Sequence, residues 1–315
     1  MELTLTDSTI RYLNDTYKGQ GHVSYTKETS KTLTAQFNVS VADGRELPND
    51  GVAQLREKGF VLVPFVTSVH ADLGHIENPD HYKTETQLQT PETEVGRFAR
   101  EQYWRECEEL TKEYTGAPHC FVIGHAVRKG NDNASDGVGY LTAYATFAHC
   151  DYTKEIAEDA ADKMLLKRIP GITLREAAEF EVGFYNIWQP TNAPVHQNPL
   201  AMLDFNTVDP SDVMNVELGY AVTPTNGGKV KAAPMIAQLT HRPEHRWYWY
   251  PNLRQEEALL FAQIDPRPSA YRDTHTQCFH TSFTDPSVDT EGPPRHNVET
   301  RLLCAWPKQS KTSKL

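Results

Sequence analysis

Three histidines of this chain are followed two residues later by a carboxylate, a spacing that can place two metal ligands together. The triplets are His70-Ala71-Asp72, His75-Ile76-Glu77 and His149-Cys150-Asp151. With 13 histidines and 42 acidic residues in 315, about two such triplets are expected by chance, so the spacing alone is weak support. His149 and Asp151 end a strand-like run, YLTAYATFAHCDY. Because side chains i and i+2 of a strand share a face, this pair predicts an imidazole beside a carboxylate.

A second histidine on a later strand would complete the facial triad of a non-haem Fe(II) oxygenase. In that triad two histidines and one carboxylate bind the metal and leave its other positions open. His280 in QCFHTSFTDP is the predicted partner, since a β-like stretch and then a Pro-rich turn follow it. In HRPEH, Pro243 opposes the helical spacing of a zinc-binding histidine pair. This argues against His241 and His245, and the alternatives that remain open are His196 and His275, neither of which lies in a comparable strand.

A pair of arginines follows His280 in the segment RHNVETR, which runs from Arg295 to Arg301. On a strand, positions 295, 297, 299 and 301 share one face, so two guanidiniums and the Asn297 amide would point into one cavity. Arginine can bind a carboxylate through two parallel hydrogen bonds, and such a group would be needed to hold the distal carboxylate of 2-oxoglutarate. The alternative is that both arginines are surface charges, with Glu299 as a partner.

The elements around these residues predict a mainly β fold. A series of short strand-like runs extends from HCFVIGHAV to VETRLLCAW, and many are separated by Pro, Gly, Asn or Asp. The sequence contains no GxGxxG, GxxxxGK[ST] or GxSxG motif, which disfavours nucleotide-binding folds and α/β-hydrolases. Many short strands without βαβ alternation favour a jelly roll, that is, a double-stranded β-helix with flanking helices.

The domain plan predicted from these patterns has three parts. Residues 1–48 form an N-terminal extension packed on the body, residues 49–307 form the jelly roll with a helical insertion at about 153–179, and residues 308–315 form a flexible tail. Asn49 and Asp50 can cap a short helix that ends at Gly59. A longer helix is predicted to begin at Thr90-Pro91 and to run to about Tyr114. Its predicted apolar face consists of Val95, Phe98, Cys107, Leu110 and Tyr114.

Charge, cysteine content and the chain ends indicate which partners and which cellular compartment to expect. The formal net charge of −11 disfavours a nucleic-acid partner. The five cysteines form no CxxC pair and no apolar run reaches transmembrane length. The first 20 residues contain no secretory signal, so we expect a soluble protein of a reducing compartment. The final Ser313-Lys314-Leu315 is a tripeptide that the peroxisomal import receptor recognises, which predicts the peroxisomal matrix, or otherwise the cytoplasm. The oligomeric state stays open.

Several segments together resemble the fungal and bacterial Fe(II)/2-oxoglutarate-dependent dioxygenases of the gibberellin-desaturase-like, AsaB hydroxylase/desaturase-like or CmcJ-like family. The resemblance covers roughly residues 40–307 and is carried by FAHCDYT, YNIWQP, HRWYWYPNLRQEEALLFAQID, CFHTSFTDP and PPRHNVETRLLCAW. It implies a double-stranded β-helix in which His149, Asp151 and His280 hold Fe(II). Arg295, Arg301 and Asn297 would bind 2-oxoglutarate, and the segment also resembles the RxNxxxR strand of alkylation-repair dioxygenases.

Three positions depart from the family pattern. Gln189 stands where the family often has Arg, Ala262 where it often has Lys, and Asn297 where it usually has Ser. The first two differences change the charge of the expected pocket, so no relative's substrate can be assigned to this chain.

The resemblance implies an oxidoreductase that uses Fe(II), 2-oxoglutarate and O₂ to abstract hydrogen from an aliphatic C–H of a small molecule. The product would be hydroxylated, desaturated or cyclised, with succinate and CO₂ as co-products, and the substrate would be a secondary metabolite or amino-acid derivative. Two alternatives are a non-oxidative cupin-type isomerase or hydrolase and a catalytically silent binding protein. The candidate pocket residues are Tyr140, Phe147, Tyr185, Asn186, Trp188, Gln189 and Trp247.

Overall fold

The part of the chain that the structure describes consists mainly of β-strands. In this computed structural model the described residues are 3–20, 22–25, 29, 31–48, 50–79, 91–130, 144–218, 235–268, 276–285 and 292–308. The strands are β1 Leu5–Leu13, β2 His22–Ser24, β3 Thr34–Asp43, β4 Phe60–Pro64, β5 His119–Lys129, β6 His149–Cys150, β7 Phe180–Pro190, β8 Leu200–Leu203, β9 Val213–Glu217, β10 Met235–Leu239, β11 Trp247–Trp249, β12 Glu257–Ile264, β13 His280–Ser282 and β14 His296–Pro307. The α-helices are α1 Val52–Lys58, α2 Glu94–Thr115, α3 Lys154–Arg168 and α4 Leu174–Ala177.

These strands form two sheets. One has nine strands in the order β1-β3-β11-β8-β13-β6-β10-β9-β2, and the other has five in the order β4-β12-β7-β14-β5. Neighbours in the five-stranded sheet are all antiparallel. Neighbouring strands in both sheets are mostly distant in sequence, as in the jelly roll that the strand pattern predicted.

An apolar core joins the facing surfaces of the two sheets. Trp188 and Phe261 from the five-stranded sheet belong to the same buried cluster as Met202 and Tyr248 from the nine-stranded sheet. Burying side chains of this size contributes about 1.5–3 kcal/mol each. This interior fixes the distance between the sheets, and the candidate site lies beside it.

Helix α2 covers the other face of the five-stranded sheet, but not with the predicted side chains. Thr93 caps the helix, and Gly96, Ala99, Tyr103 and Cys107 are among its buried residues. The predicted face was wrong at its start, because Val95 and Phe98 are 49% and 63% exposed. Small residues take the buried side where the helix lies close to its neighbours. A Cβ added at Gly96 would stand 2.5 Å from the His75 carbonyl oxygen, so no larger residue fits there.

The predicted N-terminal extension contains strands, and the predicted helical insertion contains two helices. Strand β1 pairs with β3, and β3 pairs in parallel with β11 of the same sheet. Helices α3 and α4 occupy residues 154–168 and 174–177. The domain boundaries themselves stay predictions, and most of the predicted tail lies outside the described residues. In the described ranges, every helix is too short or too polar to cross a membrane.

One prediction concerns His125, which lies on β5 beneath α2. Burial lowers its pKa to about 4, and its Nε2 bonds the Glu77 carbonyl oxygen at 2.7 Å. Because the pKa in the unfolded chain is about 6.5, stability contributed by the neutral ring is present above that pH and is lost as pH falls toward about 4. His125→Gln keeps a donor but cannot titrate, so its free energy of unfolding should fall less steeply in this window. Denaturant unfolding at several pH values measures the difference, and parallel curves would contradict it.

Candidate metal centre

Strand pairing brings the two predicted histidines side by side. His280 of β13 pairs directly with His149 of β6, and their ring centroids are 4.5 Å apart. Asp151 directly follows β6, and its Oδ1 lies 3.6 Å from His149 Nε2. One ligand atom from each of the three residues lies within 4.8 Å of the others. In the described ranges, this is the one group of three or more potential ligands at such distances.

Backbone carbonyl groups orient both imidazoles. His149 Nδ1 lies 2.9 Å from the Phe147 oxygen, and His280 Nδ1 lies 3.4 Å from the Cys278 oxygen. Since a carbonyl oxygen only accepts, each Nδ1 carries a proton, and in the neutral ring Nε2 then has its lone pair free for a metal. Burial, followed by the nearby His149, lowers the pKa of His280 to about 4, which favours the neutral ring that metal binding needs.

Asp151 is held from the opposite sheet. Its Oδ2 accepts hydrogen bonds from Arg301 Nε at 3.2 Å and from Asn186 Nδ2 at 3.1 Å. Burial raises the pKa of Asp151, but Arg301 and the histidines outweigh burial, so the pKa lies well below its usual range. Oδ1 therefore faces the imidazoles as an ionised ligand while Oδ2 is occupied. Two neutral imidazoles and one carboxylate fit a divalent first-row metal.

A second carboxylate balances the arginine that holds Asp151. Glu299 Oε1 lies 2.9 Å from Arg301 Nη2, and Glu299 Oε2 lies 3.7 Å from Arg128 Nη2. Asn186 Nδ2 is 3.4 Å from Glu299 Oε1. Thus Arg301, whose side chain is 18% exposed, lies in a network of opposite charges. Glu299 is its partner, as the alternative interpretation of the arginines suggested.

Arg295 has a different environment. It directly precedes β14 and is 4% exposed, and its guanidinium stacks on the Tyr144 ring at 3.8 Å. Its Nη1 donates to the Asn198 carbonyl oxygen and to Ser282 Oγ. Its buried Nε has no hydrogen-bond partner in the part of the chain described, and no carboxylate there forms an ion pair with it. Burial lowers the pKa of Arg295 to about 9. A bound carboxylate would supply the ion pair that this guanidinium does not form within the described residues.

Asn297 adds unsatisfied polar atoms near this arginine. The residue is fully buried, and neither its side-chain oxygen nor its side-chain nitrogen has a hydrogen-bond partner among the described residues. It shares a strand face with Glu299 and Arg301. Buried unpaired amide groups cost about 1–3 kcal/mol each, so this region is suited to a polar ligand.

Strand alternation separates the four predicted pocket residues of β7. Asn186 contacts Asp151, and Trp188 lies in the core between the sheets with Arg295 5.3 Å from its ring. Tyr185 instead belongs to the cluster beneath α2 and donates to Asp265 Oδ2 at 2.6 Å. Gln189 donates to the backbone oxygens of Phe65 and Gln255. The prediction that Tyr185 and Gln189 face the pocket was wrong, because odd and even positions of one strand point to opposite faces.

The remaining pocket candidates also divide. Phe147 lies beside the centre, with its ring centroid 5.1 Å from that of His149. Trp247 was wrongly predicted to face the pocket. Its partner in the pairing is Leu203, on the opposite face from Met202 and His280, and its Nε1 donates to the Tyr12 hydroxyl at 2.6 Å. Tyr140 lies outside the described residues.

Two further groups around Arg295 were not predicted from the sequence. Ser282 follows His280 by two positions on β13, so strand alternation alone could have placed it on the same face. No sequence pattern predicted the contact of the Asn198 carbonyl oxygen with Arg295. Asn198 lies in the loop before β8 and has a left-handed backbone conformation, with φ of 50°.

The fold and the triad together define a double-stranded β-helix protein with a two-histidine, one-carboxylate metal centre. The family model described as an oxidoreductase/YMDC permease-like domain matches residues 10–305. The chain therefore belongs to this family.

Relatives and solved structures agree with this assignment. A hydroxylase/desaturase of Hormonema carpetanum is 28% identical over 302 residues, which cover 90% of this chain and 98% of the relative. An Fe(II)/2-oxoglutarate-dependent dioxygenase of Aspergillus novofumigatus is 26% identical over 206 residues, covering 64% of this chain and 65% of that protein. The structure of the iron and alpha-ketoglutarate-dependent endoperoxidase NvfI aligns with a TM-score of 0.72 at 21% identity, over 98% of this chain and 100% of that one. The predicted family and the predicted fold are both confirmed.

The corrected position of Tyr185 leads to a prediction. Tyr185→Phe removes a buried hydrogen bond and leaves Asp265 with fewer donors, so the free energy of unfolding should fall by about 1–3 kcal/mol. Metal affinity should not change, because the hydroxyl lies on the face of the sheet away from the triad. Denaturant unfolding and Mn(II) titration measure the two quantities. A loss of metal affinity without a loss of stability would contradict the placement.

Proposed function

We propose that this chain is a non-haem Fe(II)- and 2-oxoglutarate-dependent oxygenase that removes hydrogen from an aliphatic C–H of a small molecule. The single observation that carries the proposal is a metal triad together with a buried arginine that forms no ion pair and has an unpaired Nε in the described residues. Its predicted enzyme class and its predicted cofactors, Fe(II), 2-oxoglutarate and O₂, agree with the relatives described above.

His149, Asp151 and His280 would hold the iron. When bound, the iron with 2-oxoglutarate and O₂ supplies an oxidant strong enough to break an aliphatic C–H bond, with succinate and CO₂ as co-products. The residues of this chain supply binding and orientation. The carbonyl groups of Phe147 and Cys278 direct each Nε2 toward the metal, and Arg301 keeps Asp151 ionised.

Arg295 would bind the distal carboxylate of 2-oxoglutarate. Its Nη1 is fixed by Asn198 and Ser282, and the Tyr144 ring holds the guanidinium plane. The unpaired Nε is one donor of the edge that a carboxylate can bind in bidentate fashion. Arg301 is already engaged by Asp151 and Glu299, so we assign the distal carboxylate to Arg295.

The alternatives receive less support. A cupin-type isomerase or hydrolase would need the triad but not a buried, uncompensated arginine. A silent binding protein would need neither the ionised Asp151 nor the oriented imidazoles. The relatives' hydroxylase/desaturase and dioxygenase descriptions favour oxidation of a small organic substrate, in keeping with the predicted secondary metabolite or amino-acid derivative.

Peroxisomal import stays a prediction. It depends on Ser313, Lys314 and Leu315, which lie outside the described residues. Import receptor binding is therefore supported by the sequence of the tripeptide alone.

The triad is tested by substitution. His149→Ala, Asp151→Ala and His280→Ala should each abolish Fe(II)-dependent succinate formation from 2-oxoglutarate, because two ligands cannot hold the metal in a productive geometry. Tyr185→Phe is the matched control, since it removes a buried polar group on the other face. Full succinate formation by any of the three alanine variants would exclude that residue as a required ligand.

Arg295 is tested by its effect on the cosubstrate. Arg295→Lys keeps the charge but not the bidentate geometry, so the KM for 2-oxoglutarate should rise by about 10- to 150-fold, as expected for a lost hydrogen bond to a charged group. Metal affinity in the absence of 2-oxoglutarate should stay unchanged. An unaltered KM would show that another group holds the distal carboxylate.

A further inference from the structure

The side chain of Asn186 lies between two carboxylates at the metal centre. Its Nδ2 is 3.1 Å from Asp151 Oδ2 and 3.4 Å from Glu299 Oε1. Ionised carboxylate oxygens only accept hydrogen bonds, so the NH₂ group must face them and the amide oxygen must point away. These two carboxylate contacts therefore determine which way the Asn186 amide is oriented.

The position of Asn186 depends on the pairing of two long strands. Asn186 of β7 is in register with Arg301 of β14 and with Phe261 of β12. Asn186 and Arg301 thus reach the same oxygen of Asp151 from neighbouring strands of the five-stranded sheet. The metal ligands themselves come from β6 and β13 of the nine-stranded sheet, or directly follow them.

Asn186 and Arg301 supply different things to Asp151. Arg301 brings a positive charge, which lowers the carboxyl pKa but also attracts Glu299. Asn186 is neutral, so its hydrogen bond fixes the direction of Oδ2 without adding to the charge balance. Asn186 is fully buried, and its Oδ1 has no partner among the described residues. A buried amide oxygen without a hydrogen-bond partner lowers the free energy of unfolding by about 1–3 kcal/mol. A purely apolar side chain at this position would avoid that cost, so packing alone does not explain an asparagine here.

We propose that Asn186 is a positioning residue of the metal centre, which with Arg301 holds Oδ2 of Asp151 so that Oδ1 alone is offered to the metal. The inference rests on the proposed function, since it concerns the same metal. It replaces the expectation that Asn186 lines the substrate pocket with a role that acts through Asp151.

The test is metal binding by the full-length chain under anaerobic conditions, without 2-oxoglutarate. Asn186→Leu keeps the size of the side chain and removes both donors, so the dissociation constant for Mn(II) should rise by about 10- to 100-fold, as is typical for groups that orient a metal ligand. The visible absorption of bound Co(II) should also change, because it reports coordination geometry and a freed carboxylate can bind through both oxygens. Tyr185→Phe, one residue away on the opposite face, should leave both readouts unchanged.

Asn186→Ala is the second variant, since Leu in a buried polar site can impair folding. Thermal unfolding without metal identifies the variant that is folded, and the same loss of Mn(II) affinity is expected from either one. Wild-type Mn(II) affinity and Co(II) absorption in a folded Asn186 variant would overturn the inference. If His280→Ala bound Mn(II) as tightly as the wild type, the proposed metal centre itself would fail, whatever the Asn186 variants did.

Discussion

The rest of the site depends on one ionised carboxylate that is held between the two sheets. The side chain of Asp151 is only 17% exposed, and a largely desolvated charge without a partner is costly. Arg301 and Asn186 compensate it from the opposite sheet, and Glu299 in turn compensates Arg301. The network holds only if both sheets keep their register, because a slip of one residue would turn Arg301 and Asn186 to the other face. The long pairings of β14 with β5 and β7 secure that register.

Arg295 and Arg301 belong to one segment but have different surroundings. Arg301 forms ion pairs with Asp151 and Glu299, so its charge is compensated within the protein. Arg295 is stacked on aromatic rings and bonded to neutral oxygens, so its charge is available to a ligand. In a chain with a net charge of −11, the proposed cosubstrate site is thus a local exception to the overall charge.

The sequence was sufficient for features that follow from local rules. The jelly roll, the pairing of His149 with Asp151 by strand alternation, and the end of α1 at Gly59 in a left-handed conformation were all predictable. Alternation also argued against counting Tyr185 and Asn186 as pocket neighbours, and applying it strictly would have avoided that error.

Other features depended on the tertiary structure. Trp247 faces away from the site because of its pairing with Leu203, and Val95 and Phe98 are exposed because Gly96 and Ala99 allow the closer approach of α2. The partner of each buried charge was equally unpredictable, since Asp151 and Arg301 are 150 residues apart in sequence.

The most direct measurement is an anaerobic titration of the Fe(II)-loaded chain with 2-oxoglutarate, followed by visible absorption. Chelation of the metal by a 2-oxo acid requires adjacent open positions on a three-ligand centre. We expect a charge-transfer absorption that saturates at one 2-oxoglutarate per bound iron and is absent from His280→Ala. Iron bound at the triad with no such absorption at saturating 2-oxoglutarate would contradict it.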